Sequence, residues 1–102
     1  MVAAIKAFSS RAGKKAVVLG MMAELGKDEY LEHKALVSFV NSYSFSNCFW
    51  VGEAFEPHVT INWFATTADA KAYFEHNTIG AEQILIKGSR STGLEILTDL
   101  IY

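Results

Sequence analysis

Cysteine occurs once in these 102 residues, at position 48, and proline once, at position 57. A lone thiol excludes an internal disulfide framework and fits a reducing cytosol. With one proline and 51% hydrophobic residues, the composition excludes a disordered chain. No apolar stretch approaches the roughly 20 residues needed to span a bilayer. The opening MVAAIKAFSSRAGKK is too short and too broken for a secretory signal, and reads as part of a chain cut from something longer. Basic residues form no stripe and the formal net charge is −2, which argues against nucleic acid as a partner. His33, His58, His76 and Cys48 lack metal-ligand spacing. No Ser-His-Asp set can be assembled, and Cys48, in mid-strand, reads as a small buried side chain rather than a nucleophile.

What remains is a small single domain, 1–102, with no internal repeat and alternating helix and strand signals. The spacing of Val2, Ile5 and Phe8 predicts a helix over 2–8, ended by Ala12-Gly13. The continuous apolar run 16–19, between Lys15 and Gly20, suits a strand covered on both faces. Asp28 is placed to cap a long helix whose apolar face holds Leu31, Ala35, Leu36, Phe39, Val40 and Tyr43. A second buried strand covers 48–51 and stops at Gly52, and a loop with room for one helical turn covers 53–59. Residues 60–64 alternate as a third strand nearer an edge. Thr66 and Asp69 resemble a capping box for a helix through Ala70, Tyr73 and Phe74, ending near Asn77. A fourth strand covers 83–86 and is broken by Gly88. Thr92 and Glu95 would cap a last helix with Leu94, Leu97 and Ile101 inward.

The expected fold is α/β: a Rossmann-like, mostly parallel sheet of about four strands with helices on both faces. The short link between the second and third strands leaves the direction of the third open. Seven Phe, four Tyr and two Trp are many for this size, and some rings are expected to face a partner. Trp50, Trp63 and Phe64 sit at spacings that suit the core better than a ligand platform.

Ligands of open parallel sheets gather beyond the carboxyl ends of the strands. Two segments belong there. VVLGMMAELG, 17–26, sets Glu24 in a loop flanked by Gly20 and Gly26, and reads either as a site or as a plain strand-to-helix connection packed through Met21, Met22 and Leu25. ILIKGSRSTGLE, 84–95, brings Lys87, Ser89 and Arg90 to a helix N-terminus. Two cations, a hydroxyl and unpaired amides favour a bound carboxylate or phosphate there, or else the cations are solvated or paired locally. Neither this segment nor Gly13-Lys14-Lys15 is a P-loop, because the glycine spacing is wrong. His33, on the long helix, is within reach of the first loop, with a structural hydrogen-bonded role favoured.

These segments, in this order, resemble the Mur ligases of peptidoglycan synthesis, in the branch that adds D-alanyl-D-alanine. VVLGMMAELG is similar to that family's Leu-Gly-Asp-Met-x-Glu-Leu-Gly stretch, and ILIKGSRSTGLE to its Lys-Gly-Ser-Arg strand-loop-helix. Val51-Gly52-Glu53 resembles its Val-Gly-Glu turn, 64–74 resembles its Phe-x-Thr-x-x-x-Ala-x-x-Tyr-Leu segment, and His33 falls where the family tends to carry a His. The likeness runs from about position 2 onward. One departure stands out: Met21 occupies the place of the family's Asp, so that carboxylate's role does not carry over.

The resemblance implies the C-terminal, third domain of a cytoplasmic ligase, whose N-terminal domain binds the UDP-sugar substrate and whose central domain carries the P-loop for ATP and Mg. It also implies that Lys87, Ser89 and Arg90, with Glu24, orient the D-alanyl-D-alanine nucleophile, and that 1–102 alone is inactive. Rival readings are a stand-alone small-anion or nucleotide-binding module, a receiver-like signalling domain and a purely structural interaction domain. A receiver would need an acidic cluster at the strand ends, where only Glu24 and Glu53 stand.

Overall fold

The computed structural model describes residues 2–22, 26–88 and 93–97. In chain order these form α1 (Val2–Ser9), β1 (Lys15–Gly20), a 3-10 turn (Gly26–Asp28), α2 (Glu29–Asn41), β2 (Asn47–Val51), a 3-10 helix (Glu53–His58), β3 (Trp63–Phe64), α3 (Thr67–Phe74), β4 (Gln83–Lys87) and a second 3-10 turn (Leu94–Leu97). The four strands make one sheet in the order β3-β2-β1-β4, and every pairing is parallel. The expected α/β class and strand number hold.

The sheet separates two apolar layers. Val17, Leu19 and Trp50 point to one face, where Ile5 and Phe8 of α1, Leu36, Val37 and Val40 of α2, and Phe55 cover them. Ala16, Val18, Phe49, Val51 and Ile84 point to the other face, under Ala70 and Phe74 of α3 and under Leu94 and Leu97. Burial on both sides is why 16–19 is apolar without alternation. Phe55 is fully buried, and its burial contributes on the order of 2–3 kcal/mol. Trp50 belongs to the core, as its spacing suggests, whereas Trp63 and Phe64 are half-buried at the edge strand.

The third strand is parallel, which settles its direction, but it is shorter than 60–64. Asn62 has φ +56°, the left-handed region that Asn tolerates, and this breaks the extended run. Only Trp63 and Phe64 pair, opposite Trp50 and Val51. Because β3 meets only the carboxyl half of β2, the chain need not return the full length of the sheet to be parallel.

Two expectations for α2 are corrected. Its buried face holds His33, Leu36, Val37 and Val40, while Leu31 is 64% exposed and Ala35 is exposed. The sheet and the 53–58 helix meet α2 on the side of His33 and Phe55, turning the Leu31–Ala35 edge outward. Asp28 stands directly before α2 but makes no side-chain cap, because the 3-10 turn already gives it a helical φ of −87°. Thr66 does cap α3: its backbone is extended and its Oγ1 accepts the Asp69 N–H at 3.1 Å, an interaction worth about 1 kcal/mol. At the end of α1, the Lys15 ammonium donates to the carbonyls of Ser9 (2.6 Å) and Arg11 (2.5 Å), satisfying acceptors that lack helical partners. The expected cap at Thr92 and inward Ile101 lie outside the described residues.

Candidate functional site

The strand order reverses beside β1. The chain leaves β1 through α2 toward β2 on one side, while β4 pairs on the other. The segment after β1 turns onto the α2 face, and the segment after β4 turns onto the opposite face, where Leu94 and Leu97 pack. In an open parallel sheet, diverging connections of this kind leave a crevice beyond the carboxyl ends of the two strands. The described parts of both segments singled out in the sequence, 17–22 and 84–88, run side by side to these strand ends. Their adjacency comes from the parallel β1–β4 register, which sets Leu19 beside Lys87.

Lys87 is exposed at the end of β4. Side chains alternate along a strand, so Lys87 shares a side with Leu85, which packs against the α1/α2 layer. That is the side to which the segment after β1 turns. Gly88 follows, half-buried. Ser89, Arg90 and Glu24 lie outside the described residues. Of the four predicted site residues, the structure therefore locates Lys87 alone.

The root of the β1–α2 segment is held on two sides. The Met21 N–H donates to the Val51 carbonyl at 2.9 Å, carrying the β1–β2 ladder one residue past the strand. The Met22 N–H donates to His33 Nε2 at 2.9 Å, and His33 Nδ1 lies 2.7 Å from the Glu29 carbonyl. His33 is wholly buried, with its ring edge-to-face on Phe55. The expected contact between His33 and the first loop is therefore present, and it is hydrogen-bonded.

An open cleft of about 450 Å³ lies at the carboxyl ends of β1, β2 and β3, lined by Met21, Val51, Gly52, Glu53 and the Ala65–Thr67 stretch. Gly52 adopts φ +127°, accessible to glycine and strained for other residues. Its carbonyl accepts from Trp63 Nε1 (2.7 Å) and from the Phe55 N–H (3.2 Å), and its own N–H donates to Phe64 (2.8 Å). The part of this wall formed by Ala65, Thr66 and Thr67 carried a helix-cap signal and a family resemblance but no sign of a site, since only the β2–β3 pairing brings it to β1's end. A cavity of similar size, about 410 Å³, opens beside Asn47, Cys48 and His58. It has no Lys, Arg, Asp or Glu in its lining, and we place the candidate site at the carboxyl ends for that reason. Burial pushes the Cys48 thiol up to about 11, which keeps it protonated and non-nucleophilic at neutral pH. Among the described residues, no group of three or more His, Cys, Asp or Glu could hold a metal ion, and no helix is long and apolar enough to cross a membrane.

Sheet order and two-sided helical cover define a Rossmann-like α/β domain. In sequence the chain is similar to the UDP-N-acetylmuramoyl-tripeptide–D-alanyl-D-alanine ligase of Buchnera aphidicola, with 31% identity over 99% of this chain and 24% of the relative. In structure it is similar to a crystal structure of MurF from Acinetobacter baumannii, with a TM-score of 0.74 and 27% identity over 96% of this chain and 24% of that one. The chain thus spans about a quarter of the length of the relatives it matches. No protein-family model matches it.

Proposed function

We propose that this chain is the closing, third domain of a cytoplasmic ATP-dependent ligase that adds D-alanyl-D-alanine to UDP-N-acetylmuramoyl-tripeptide. In this reading Lys87, Ser89 and Arg90 hold the dipeptide carboxylate, and Glu24 contributes from the facing loop. ATP and Mg bind mainly in a central domain and the UDP-substrate in an N-terminal one, both belonging to the same enzyme. The chemistry is phosphorylation of the tripeptide carboxylate by ATP, then attack of the dipeptide amine on the acyl phosphate, with release of ADP and phosphate. The domain's contribution is proximity: it sets the amine against the acyl phosphate and excludes water from it. By itself the domain should turn over no ATP, because it lacks a loop that cradles phosphates.

The observation that supports this reading is the parallel β1–β4 pairing, which sets Lys87 beside Leu19 at the carboxyl ends of the two strands. The likeness to the Buchnera ligase over nearly the whole chain supplies the substrate class. The test is an NMR titration of the ¹⁵N-labelled 102-residue chain with D-alanyl-D-alanine. Millimolar dipeptide should shift the amides of Gly20, Met21, Met22 and Gly88, and Arg90→Ala or Lys87→Ala should weaken that binding about tenfold. No response at these amides, or an undiminished response in both variants, would remove the assignment. Phosphate in place of the dipeptide separates the rival anion-binding module, for which the same amides would respond to phosphate as strongly.

A further inference from the structure

The bond pattern of His33 constrains its chemistry. A carbonyl oxygen only accepts and a backbone N–H only donates. Facing the Glu29 carbonyl, Nδ1 must carry the ring proton; facing the Met22 N–H, Nε2 must present its lone pair. One protonation state satisfies both contacts, the neutral imidazole with its proton on Nδ1. The cation would set two N–H groups against each other at the Met22 contact, and the other neutral tautomer would leave both contacts unmade. The ring is wholly buried, so water does not substitute for either partner.

The two contacts lie on opposite sides of the β1–α2 connection. Met22 is where the chain leaves the sheet, and Glu29 is the first residue of α2. The imidazole thus ties the exit of β1 to the first turn of α2. Met21, one residue before, is tied to Val51. Phe55 packs against the ring edge-to-face and limits its rotation. A hydrophobic residue of the same volume would fill the space but would leave the Met22 N–H without its acceptor.

We infer that His33 is a positioning residue: as the Nδ1–H tautomer it ties the chain leaving β1, at Met22, to the first turn of α2. The bond assignment stands on geometry alone; its bearing on dipeptide binding rests on the proposed function.

Long-range ¹H–¹⁵N correlation on the labelled wild-type chain at neutral pH reads the tautomer directly. The expected result is a protonated Nδ1 and an unprotonated Nε2, the reverse of the tautomer free histidine prefers. A protonated Nε2 would overturn the inference. Amide exchange at Met22 supplies the second arm. His33→Gln places its Oε1 near the position of Nε2 and should keep Met22 protected, whereas His33→Leu should speed its exchange by about tenfold beyond the change in global opening. If His33 only fills space, Leu protects Met22 as well as Gln does, and the positioning role is lost. Should His33→Leu fail to fold, the wild-type tautomer still decides. If the dipeptide never binds while the tautomer is as described, the proposed function fails and the positioning role does not.

Discussion

Met21 lies against Gly52 so closely that a Cβ built at position 52 would stand 2.7 Å from Met21 Cγ and 2.8 Å from its sulfur. The contact joins the exits of β1 and β2. The Met21 thioether covers the glycine and lines the cleft beside Glu53. Gly52→Ala meets two obstacles, a left-handed φ of +127° and the Met21 side chain. The variant should lose about 2–3 kcal/mol in urea unfolding. Combining it with Met21→Ala should restore only the steric part due to Cγ and the sulfur, since the Cβ of residue 21, 2.8 Å from the added methyl, remains together with the backbone part. A Gly52→Ala chain as stable as wild type would show that this turn is not constrained as described.

Trp63→Phe keeps a ring at the β3 edge and removes the donor to the Gly52 carbonyl. That carbonyl retains the Phe55 N–H, so the expected cost is about 1 kcal/mol rather than that of a stranded acceptor. Because β3 is only two residues long, exchange of the Gly52 N–H, which is bonded to Phe64, should quicken as well. Unchanged exchange there would mean that the indole does not hold the strand.

Cys48 gives the alkaline limb of stability a defined sign. Its folded pKa is raised to about 11 from 9.0 by burial, so between these values the unfolded chain releases a proton that the folded one keeps. The contribution is fully present below pH 9 and is lost as pH rises toward 11. Cys48→Ala should flatten the fall in stability across that window relative to wild type. Alkylation of the native thiol should be slow at neutral pH, and rapid native-state alkylation there would contradict the burial.

Lys87 is exposed on β4 and carries no core contact of its own. Lys87→Ala should change stability by less than about 0.5 kcal/mol, because surface positions outside special contacts tolerate replacement. Under the proposed function it should weaken D-alanyl-D-alanine binding about tenfold, the size expected for one charge-assisted hydrogen bond. Loss of stability without loss of binding would reverse the role assigned to it.

Residue order alone determined the α/β class, helices α1, α2 and α3, the buried strands 16–19 and 48–51 and the Thr66 cap. Each rests on local physics: two-sided burial removes alternation, a hydroxyl three residues before a free amide caps a helix, and glycine ends a strand. Tertiary structure decided the rest. Nothing local states that β4 pairs with β1 and not with β3, and that pairing is what sets Lys87 beside Leu19 at the carboxyl ends of the sheet. The rotation of α2, which buries His33 and exposes Leu31, follows from what packs on it, because a helix with apolar residues over a wide arc can turn either edge inward. The His33 bridge to Met22 and the Met21–Gly52 contact are likewise joint products of two strand exits and a helix, brought within hydrogen-bond and van der Waals range only once the sheet is assembled.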